Sequence, residues 1–388
     1  MNLLARCWRA LPRNQGAITS LIDILHRSVG SKSALIVKMG AIGDVIMTLP
    51  GARRLYEQGF EIHWVCGREL QPLLECYPWI ALLTVDDRAI LKGTVFEQLR
   101  AIADLWSRLA LRKWDICATL YYDVRYRFLT LPVRARHKIA LSRRLRKTNV
   151  LGGRSYADEF TRILLGTEDA YRPRSIEPFA PSKLPASPLP IKSAERRIAI
   201  VPGGAANFHS QQTLRRWPIE LYVSLALALR KRNWEVVLLG GPDDVWVRPY
   251  FDQIQVSDCV GTISIPEAIS VCNSCDAVVS HDSGPLHLAG LSNASVVGIF
   301  GPTNPASFLP RRPGVVGLWG GHGYACRPCY NGRTFAPCVS AGCMRDVTPE
   351  LVMHHLLRLT DAKSRQMLEP WELIFAPATN GLSNAAQI

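Results

Sequence analysis

Short apolar runs alternate with longer stretches of helical periodicity along most of the chain. The run from Ala34 to Lys38 is typical of a buried strand, and the pattern from Asp44 to Gln58 is typical of a helix. The sequence predicts further strands at Glu61 to Val65 and around Asp115 to Tyr121, with a helix around Thr94 to Leu111. This alternation predicts an α/β domain whose parallel sheet is covered on both faces.

The alternation stops in a proline-rich segment and then begins again. Six prolines between Tyr171 and Lys192 fix the backbone and remove hydrogen-bond donors, which predicts an extended linker. Beyond it, strands are predicted at Arg197 to Val201, Glu235 to Leu239, Ala277 to Ser280 and Val296 to Phe300. Helices are predicted at Pro218 to Arg232, Pro266 to Asn273 and Pro285 to Leu291. Two Rossmann-like halves place a ligand-binding cleft between them.

These patterns divide the chain into five segments. They are an N-terminal extension at 1–32, a Rossmann-like domain at 33–170, a linker at 171–196, a second Rossmann-like domain at 197–370 with a cysteine-rich insert at 326–343, and a tail at 371–388. Arginines interrupt the apolar residues of the extension, which argues against a secretory signal. A membrane-touching amphipathic helix, a loosely packed segment and a transit peptide remain open.

Composition and charge narrow the class of protein. A hydrophobic fraction of 48% and a charged fraction of 20% over 388 residues are typical of a globular, two-domain protein without membrane-spanning segments. The net charge is +14, and the stretch from Val124 to Lys147 holds nine Lys or Arg residues and no acidic residue. Such a cluster predicts an anionic partner, namely phosphorylated lipid, acidic sugar or nucleic acid, with a solvated basic face as the alternative.

Four of the eleven cysteines are clustered near the C-terminus. Cys326, Cys329, Cys338 and Cys343 have the spacing of metal ligands, and we predict a structural zinc or iron ion held by four thiolates. A loop of reduced thiols, or a disulfide in an oxidising compartment, is the alternative. The other cysteines are scattered, which is typical of a reducing compartment.

Two strand-to-helix junctions carry candidate chemistry. The first, from Lys38 to Ile46, contains two glycines and places Asp44 at a helix start, as a carboxylate facing the cleft or as a helix cap. Its spacing does not match the dinucleotide-binding GxGxxG motif. In the second, Asp282 is placed to accept hydrogen bonds from sugar hydroxyls. Ser283 and Gly284 offer backbone N–H groups to phosphate, and His287 lies one turn further along.

Two further segments would complete an anion site. Gly298 to Pro305 forms a turn-rich strand exit that closes the same pocket, and Arg215 and Arg216 precede a helix that begins at Pro218. No two aspartates are separated by a single residue, so an Asp-x-Asp metal-binding motif is missing. A departing diphosphate would then be stabilised by helix dipoles and basic side chains. One carboxylate acting as base from the opposite domain suits a single displacement with inversion.

These segments, in this order, resemble the heptosyltransferases of glycosyltransferase family 9 from about Ser33 to Leu359. That resemblance implies a GT-B fold and an inverting transfer in which Asp44 is the general base. Arg215 lies where the family usually has a lysine that holds the donor phosphates. The remaining implied donor-binding residues are Asp282, Ser283, Gly284 and His287, with Asp243 and Asp244 near the nucleoside ribose. The implied acceptor-binding residues are Arg125, Arg127, Arg134 and Arg136.

The resemblance implies transfer of heptose from ADP-heptose to a phosphorylated lipopolysaccharide-core acceptor of the lipid A–Kdo type. It implies no catalytic cofactor and a cytoplasmic enzyme peripheral to the inner membrane. Some members of the family carry cysteines in the region of the cluster, and those of autotransporter heptosyltransferases bind iron. The alternatives are another acceptor such as a protein hydroxyl, another nucleotide sugar, a nucleotide binder without turnover, or a nucleic-acid-binding protein. We expect no nucleic-acid partner, because no such motif appears and the donor-like segment would be unexplained.

Overall fold

Two parallel β-sheets, each flanked by helices, form the body of the molecule. The computed structural model describes residues 32–167, 180–207, 210–331, 334–338, 340–361 and 372–377. The predictions for residues 1–31, for residues 171–179 of the linker and for residues 378–388 of the tail lie outside these ranges. Within them, every helix is too short or too polar to cross a lipid bilayer.

The first sheet has five strands in the order β3-β2-β1-β4-β5. Its strands are β1 (Lys32–Val37), β2 (Phe60–Gly67), β3 (Ile80–Val85), β4 (Lys113–Thr119) and β5 (Arg134–Ala140). Its helices are α1 (Ile42–Glu57), α2 (Gln71–Glu75), α3 (Asp87–Lys92), α4 (Val95–Ala110), α5 (Arg125–Phe128) and α6 (Tyr156–Leu165), with short 3₁₀ segments at Arg68–Leu70 and Arg146–Thr148.

The second sheet has seven strands in the order β10-β9-β6-β11-β12-β13-β14. The strands of this half are β6 (Arg197–Val201), β7 (Ala206–Asn207), β8 (Ser210–Gln211), β9 (Glu235–Leu238), β10 (Ser257–Asp258), β11 (Ala277–His281), β12 (Ser295–Phe300), β13 (Val315–Trp319) and β14 (Glu372–Phe375), of which β7 and β8 form a separate antiparallel hairpin. The helices are α7 (Ile219–Lys231), α8 (Ile265–Asn273), α9 (Gly284–Gly290), α10 (Pro305–Phe308), α11 (Gly342–Arg345) and α12 (Pro349–Thr360), with 3₁₀ segments at Thr213–Arg215 and Pro242–Phe251.

Burial on both faces explains the continuous apolar run of β1. Ala34 and Ile36 pack in the cluster that contains residues of α1 and α6, whereas Leu35 and Val37 pack in the cluster on the opposite face of the sheet. A strand buried on both faces has no solvent side, so it shows no polar alternation. The predicted α/β class with two Rossmann-like parallel sheets is confirmed.

The four edge strands β3, β5, β10 and β14 and the buried strand β13 lie where the sequence predicts no strand, and β5 and β14 show why the edges are difficult to predict. β5 runs through the basic stretch, pairing Arg134 with Lys113 and Ala140 with Thr119 of β4. β14 lies in the segment predicted as the tail and pairs with β13, so the second sheet extends beyond residue 370. Edge strands are covered on fewer sides than central ones, and the apolar pattern that identifies central strands is therefore weak in both.

The two halves contact each other through helices α1 and α9. Leu288 and Leu291 of the second half belong to the same apolar cluster as Ile46 and Leu49 of α1. A buried ion pair joins Arg311 Nη1 to Asp158 Oδ2 at 2.9 Å across the same interface. These contacts set the helix starts that follow β1 and β11 against each other.

Candidate active site

The carboxyl ends of β1 and β11 meet at the interface between the two halves. Here the start of α1 faces the start of α9 so closely that a Cβ atom on Gly43 would lie 2.6 Å from Cδ2 of His287. A Cβ atom on Gly284 would lie 3.2 Å from Cβ of Ile42. The absence of side chains at these two glycines is therefore what allows the helix starts to approach. The structure thus brings the two predicted junctions into one site.

A buried lysine holds the carboxylate of Asp44. Lys38 Nζ lies 2.9 Å from Asp44 Oδ2, and the exposed fractions of the two side chains are 3% and 38%. The same ammonium donates a hydrogen bond to the carbonyl oxygen of Leu120 at 2.9 Å and lies 4.2 Å from the ring centroid of Tyr121. The N-cap of α1 is Ala41, so Asp44 is not the helix cap. Lys38 therefore orients the carboxylate of Asp44, which remains accessible from the cleft.

Tyr121 fixes the loop between Lys38 and Asp44. Its hydroxyl accepts hydrogen bonds from the backbone N–H groups of Met39 at 2.8 Å and Gly40 at 3.1 Å, and donates to the carbonyl oxygen of Gly40 at 2.8 Å. Its ring stacks on Tyr126 with centroids 3.7 Å apart. Burial raises the pKa of Tyr121 well above its ordinary value, so the hydroxyl stays protonated and keeps these bonds.

Arg215 and Asp282 form the polar centre on the opposite side of the site. Arg215 Nη1 lies 3.3 Å from Asp282 Oδ2, and Thr303 Oγ1 donates to the same oxygen at 2.7 Å. Arg215 Nε is buried and has no hydrogen-bond partner among the residues that the structure describes. A buried donor without an acceptor is costly, and an anion bound beside the guanidinium would provide one. Ser283 is the N-cap of α9, immediately beside this pair.

The two histidines of the β11–α9 segment are neutral. Burial, followed by the charges of Arg215 and Arg216, lowers the pKa of His281 to about 3. Burial also lowers the pKa of His287, although Asp282 and Asp44 oppose the shift. His281 Nδ1 lies 3.0 Å from the hydroxyl of Tyr222, which fixes its ring. His287 can therefore serve a ligand as a hydrogen-bonding imidazole, and not as a cation.

We expect the free energy of unfolding to decrease as the pH falls from 7 to 5. Burial lowers the pKa of His355 to about 4 and that of His281 to about 3. In the unfolded chain the pKa of a histidine is about 6.5, so between about pH 4 and about pH 6.5 the unfolded chain binds protons that the folded chain does not. Each histidine should contribute on the order of 1–2 kcal/mol to the difference. Denaturant titrations at both pH values measure it, and His355→Leu, which removes one titrating group far from the site, should make the dependence less steep. An unchanged dependence in this variant would contradict the assignment.

The predicted ribose-binding aspartates have different surroundings. Both oxygens of Asp244 are occupied, because Oδ1 accepts from the N–H of Gly204 at 2.7 Å and Oδ2 accepts from the N–H of Gly241 at 2.8 Å. The buried carboxylate thus ties two loops of the second half together, and this placement does not favour a contact with a nucleoside. Asp243 is exposed.

The four predicted acceptor-binding arginines are spread along the edge of the first sheet. Arg125 is exposed at the carboxyl end of β4 and pairs with Asp123 at 2.6 Å. Arg127 donates to the carbonyl oxygen of Leu141 at 2.9 Å. Arg134 and Arg136 lie toward the amino end of β5, whereas the site lies at the carboxyl ends of the strands. The structure therefore brings Arg125 and Arg127 to the edge that carries the site and leaves Arg134 and Arg136 away from it.

Three residues of the site were not predicted. Lys38 and Thr303 hold the two acidic side chains, and Tyr330 lies close enough to Asp44 and Asp282 for their charges to act on its hydroxyl. The backbone N–H of Tyr330 donates to the carbonyl oxygen of Pro302 at 3.2 Å. Burial and then the charge of Asp44 raise the pKa of its hydroxyl, and Arg215 and Asp282 also act on it. The lysine at the end of an apolar run was a visible signal, but nothing in the local sequence marks Tyr330.

The predicted metal site in the cysteine cluster is not supported. In the described part of the chain, no group of three or more His, Cys, Asp or Glu side chains lies in a position to hold a metal ion. Cys326 and Cys338 are exposed, while Cys329 and Cys343 are partly buried, and all four are free thiols. Burial, followed by the neighbouring cysteines, raises the pKa of Cys343 to about 12, so this thiol is protonated at neutral pH. The spacing of the four residues did not determine their arrangement in space.

Replacing Gly43 by alanine should disrupt the site without unfolding the protein. The added Cβ atom would lie 2.6 Å from Cδ2 and 2.9 Å from Nε2 of the buried His287 ring, so the ring or helix α1 must move. A displacement of about 1 Å near reacting groups can reduce the rate about 10²-fold, and we expect a loss of that size in kcat. Gly152→Ala is the matched control, because its Cβ atom would meet nothing within 4 Å. Wild-type kcat in Gly43→Ala would show that the close approach of the two helix starts is not required.

Comparisons with known proteins identify relatives of this arrangement. Residues 185–338 match the family model described as glycosyltransferase family 9 (heptosyltransferase). The chain is 22% identical over 303 residues to the lipopolysaccharide core heptosyltransferase OpsX of Haemophilus influenzae, an alignment that covers 72% of this chain and 82% of OpsX. It is 25% identical to lipooligosaccharide heptosyltransferase 2 of Campylobacter jejuni, over 45% of this chain and 54% of that protein.

Solved structures share the fold of the whole described body. The structure of the Escherichia coli ADP-heptose lps heptosyltransferase II superposes with a TM-score of 0.63 at 18% identity, covering 85% of this chain and 98% of that one. At this identity the likeness establishes the GT-B fold and does not establish a substrate.

Proposed function

We propose that the chain is a member of glycosyltransferase family 9, whose model matches residues 185–338, and that it transfers heptose from ADP-heptose to a phosphorylated acceptor of the lipopolysaccharide core. The observation that carries this proposal is the pair of opposed polar centres in the cleft. The lysine-held carboxylate of Asp44 belongs to the first half, and the Arg215–Asp282 pair belongs to the second. The first centre can take a proton from an acceptor, and the second can hold a phosphorylated donor.

The reaction follows from these roles as a single displacement. The acceptor hydroxyl oxygen attacks the anomeric carbon while its proton passes to a carboxylate oxygen of Asp44. The bond from the anomeric carbon to the diphosphate oxygen breaks, and ADP leaves with the electron pair. Attack opposite the leaving group inverts the anomeric configuration. Lys38 pairs with Oδ2 of Asp44 and thereby orients the carboxylate for this proton transfer.

Positive side chains are proposed to stabilise the leaving diphosphate without a metal ion. Arg215 presents its guanidinium beside Ser283 and Gly284, and Arg216 lies next to it, fixed by a 2.7 Å hydrogen bond from its Nε to the carbonyl oxygen of Gly204. Fixed positive charge at the position where negative charge develops lowers the barrier without reorganisation. The neutral His287 adds one hydrogen-bond donor. Metal independence also agrees with the missing Asp-x-Asp motif.

The acceptor assignment is supported by the basic edge of the first half. Arg125 and Arg127 follow β4 at the carboxyl edge, and the loop after β5 adds Arg143, whose guanidinium lies 4.6 Å from the ring centroid of Tyr122. Guanidinium groups suit phosphate and acidic sugar groups. We place the enzyme in the cytoplasm at the inner membrane, in agreement with the ten described cysteines, all of which are free thiols. No observation favours a nucleic-acid partner.

The proposal is tested with purified protein, three donors and three acceptors. ADP-heptose, ADP-glucose and UDP-glucose are each combined with lipid A–Kdo, with lipid A lacking Kdo and with a protein acceptor, and nucleotide release and product mass are recorded. We expect release that requires both ADP-heptose and the Kdo-bearing acceptor. Transfer only to the protein acceptor would contradict the proposed lipopolysaccharide-core acceptor. Transfer only from ADP-glucose or UDP-glucose would contradict the proposed donor, ADP-heptose.

A further inference from the structure

An apolar stripe on helix α4 faces away from the sheet. Leu105 and Leu109 are buried against the first domain, whereas Phe96 and Leu99 are 74% and 62% exposed. Together with Ala103 and Trp106, these two residues follow the spacing i, i+3, i+7, i+10, which places them on one side of the helix. The helix therefore carries apolar side chains on two faces, and its own domain covers only one of them.

The stripe continues onto helix α5. The ring centroids of Trp106 and Phe128 are 5.7 Å apart, and Trp106 Nε1 donates to the carbonyl oxygen of Phe128 at 3.2 Å. Phe128 is 57% exposed, and the flanking Val124 and Leu131 are also exposed. The two helices thus present one continuous apolar surface, larger than scattered exposed residues normally form.

A basic loop borders this surface and is held rigidly. Residues 143–147 place the exposed Leu145 between Arg143–Arg144 and Arg146–Lys147. The buried guanidinium of Arg162 donates to the backbone carbonyl oxygens of Arg146 and Lys147 in the loop and of Asn149 just after it, and pairs with the fully buried Glu159 at 2.8 Å. The bond from Arg127 Nη2 to the carbonyl oxygen of Leu141 connects the loop to α5.

These elements share the edge of the sheet that carries the site. Helix α5 follows β4 and the loop follows β5, so both lie at the carboxyl ends of strands. Helix α4 runs back along the sheet, so its first turn also lies at the carboxyl ends of the strands. The guanidinium of Arg143 lies 4.6 Å from the ring centroid of Tyr122, which follows β4, so the loop lies at the carboxyl end of β4. We name this surface, formed by Phe96, Leu99, Phe128, Leu131 and the 143–147 loop, the rim surface.

We propose that the rim surface docks on a bilayer with anionic headgroups and thereby presents the cleft to a lipid-linked acceptor. A continuous apolar surface bordered by a basic loop suits the boundary between headgroups and acyl chains, where both kinds of group are satisfied. Nucleic acid would engage the basic loop and leave the apolar stripe exposed. The inference rests on the proposed function for the identity of the acceptor, but vesicle binding itself does not require catalysis.

The test is co-sedimentation of the full chain with vesicles of phosphatidylcholine, with and without phosphatidylglycerol. We expect salt-sensitive binding only to the anionic vesicles. The double variant Phe96→Ser/Leu99→Ser and the single variant Leu145→Ser should each reduce the partition coefficient about 10-fold or more. Ile191→Ser, which changes an even more exposed apolar residue outside the rim surface, should bind as the wild type does. Unchanged melting temperatures of the variants show that the fold is intact.

Activity assays separate this inference from the proposed function. On vesicle-embedded acceptor the rim variants should lose activity in proportion to lost binding, whereas on a deacylated, water-soluble acceptor they should keep wild-type kcat. Wild-type vesicle binding by the rim variants, equal binding to neutral vesicles, or displacement of the protein by nucleic acid with no vesicle binding would each overturn the docking proposal. Normal vesicle docking without transfer to any acceptor would overturn the proposed function and leave the docking surface standing.

Discussion

Asp44→Asn is expected to lower kcat for sugar transfer by about 10²- to 10⁴-fold, the range that a positioned general base contributes. The substitution keeps the size and shape of the side chain but removes its capacity to accept a proton. Lys38 Nζ, which lies 2.9 Å from Oδ2, can still donate to the amide oxygen, so the loop should keep its conformation. Donor binding should change little, because Arg215 and Asp282 belong to the opposite half.

The measurement is steady-state ADP release in the presence of acceptor, together with the affinity for ADP by calorimetry. Asp252→Asn provides a matched control, since it makes the same chemical change at an exposed position outside the site. Equal loss of kcat and ADP affinity would indicate a collapsed site instead of a missing base. Near-wild-type kcat in Asp44→Asn would show that another group takes the proton.

Arg215→Met is expected to lower kcat/KM for the donor by about 10²- to 10³-fold, the cost of removing one preorganised group that stabilises developing charge. The methionine fills similar space but leaves the leaving diphosphate without the guanidinium, and Asp282 without its 3.3 Å partner. Arg215→Lys should recover most of the loss, because it restores the positive charge at the position where the family usually has lysine.

Arg232→Met, at an exposed position after helix α7, is the control for loss of one positive charge. Rates and ADP affinities are measured for all three variants. Failure of the lysine variant to recover any activity would mean that the planar fork of the guanidinium is required, and not its charge alone. Unchanged kcat/KM in Arg215→Met would remove Arg215 from the donor site.

Most central strands could be predicted because their burial leaves a direct mark in the sequence, although the equally buried β13 was missed. Arg197–Val201 is a fully buried strand, and its predicted and observed bounds agree. β5 left no such mark, since its basic residues are exposed and only one neighbouring strand covers it. The basic residues of β5 predict an acceptor-binding surface, but they do not indicate that this segment forms a β-strand. Periodicity reports burial, so it fails where a strand is mostly exposed.

Only those residues of the candidate site that belong to a recognisable local segment could be predicted from the sequence. Asp44, Asp282 and Ser283 follow strand ends, and the carboxyl edge of parallel sheets is where such segments meet. The sequence places Lys38 in the strand that it terminates and does not indicate its partner. The ion pair with Asp44 becomes visible only in the folded protein, where the start of α1 turns back over the loop. Tyr330 arrives from a segment almost three hundred residues further along the chain than Asp44, and only the folded interface brings them together.

The most direct test of the central claim is the anomeric configuration of the transferred sugar, followed by NMR spectroscopy in the presence of EDTA. Purified protein is incubated with ADP-heptose and a deacylated Kdo-bearing acceptor, and the anomeric signal of the product is compared with that of the donor. A single displacement assisted by Asp44 and Arg215 predicts full inversion at an undiminished rate in EDTA, and product formation about 10²- to 10⁴-fold slower with Asp44→Asn. Retention of configuration, or transfer that stops in EDTA, would contradict the account.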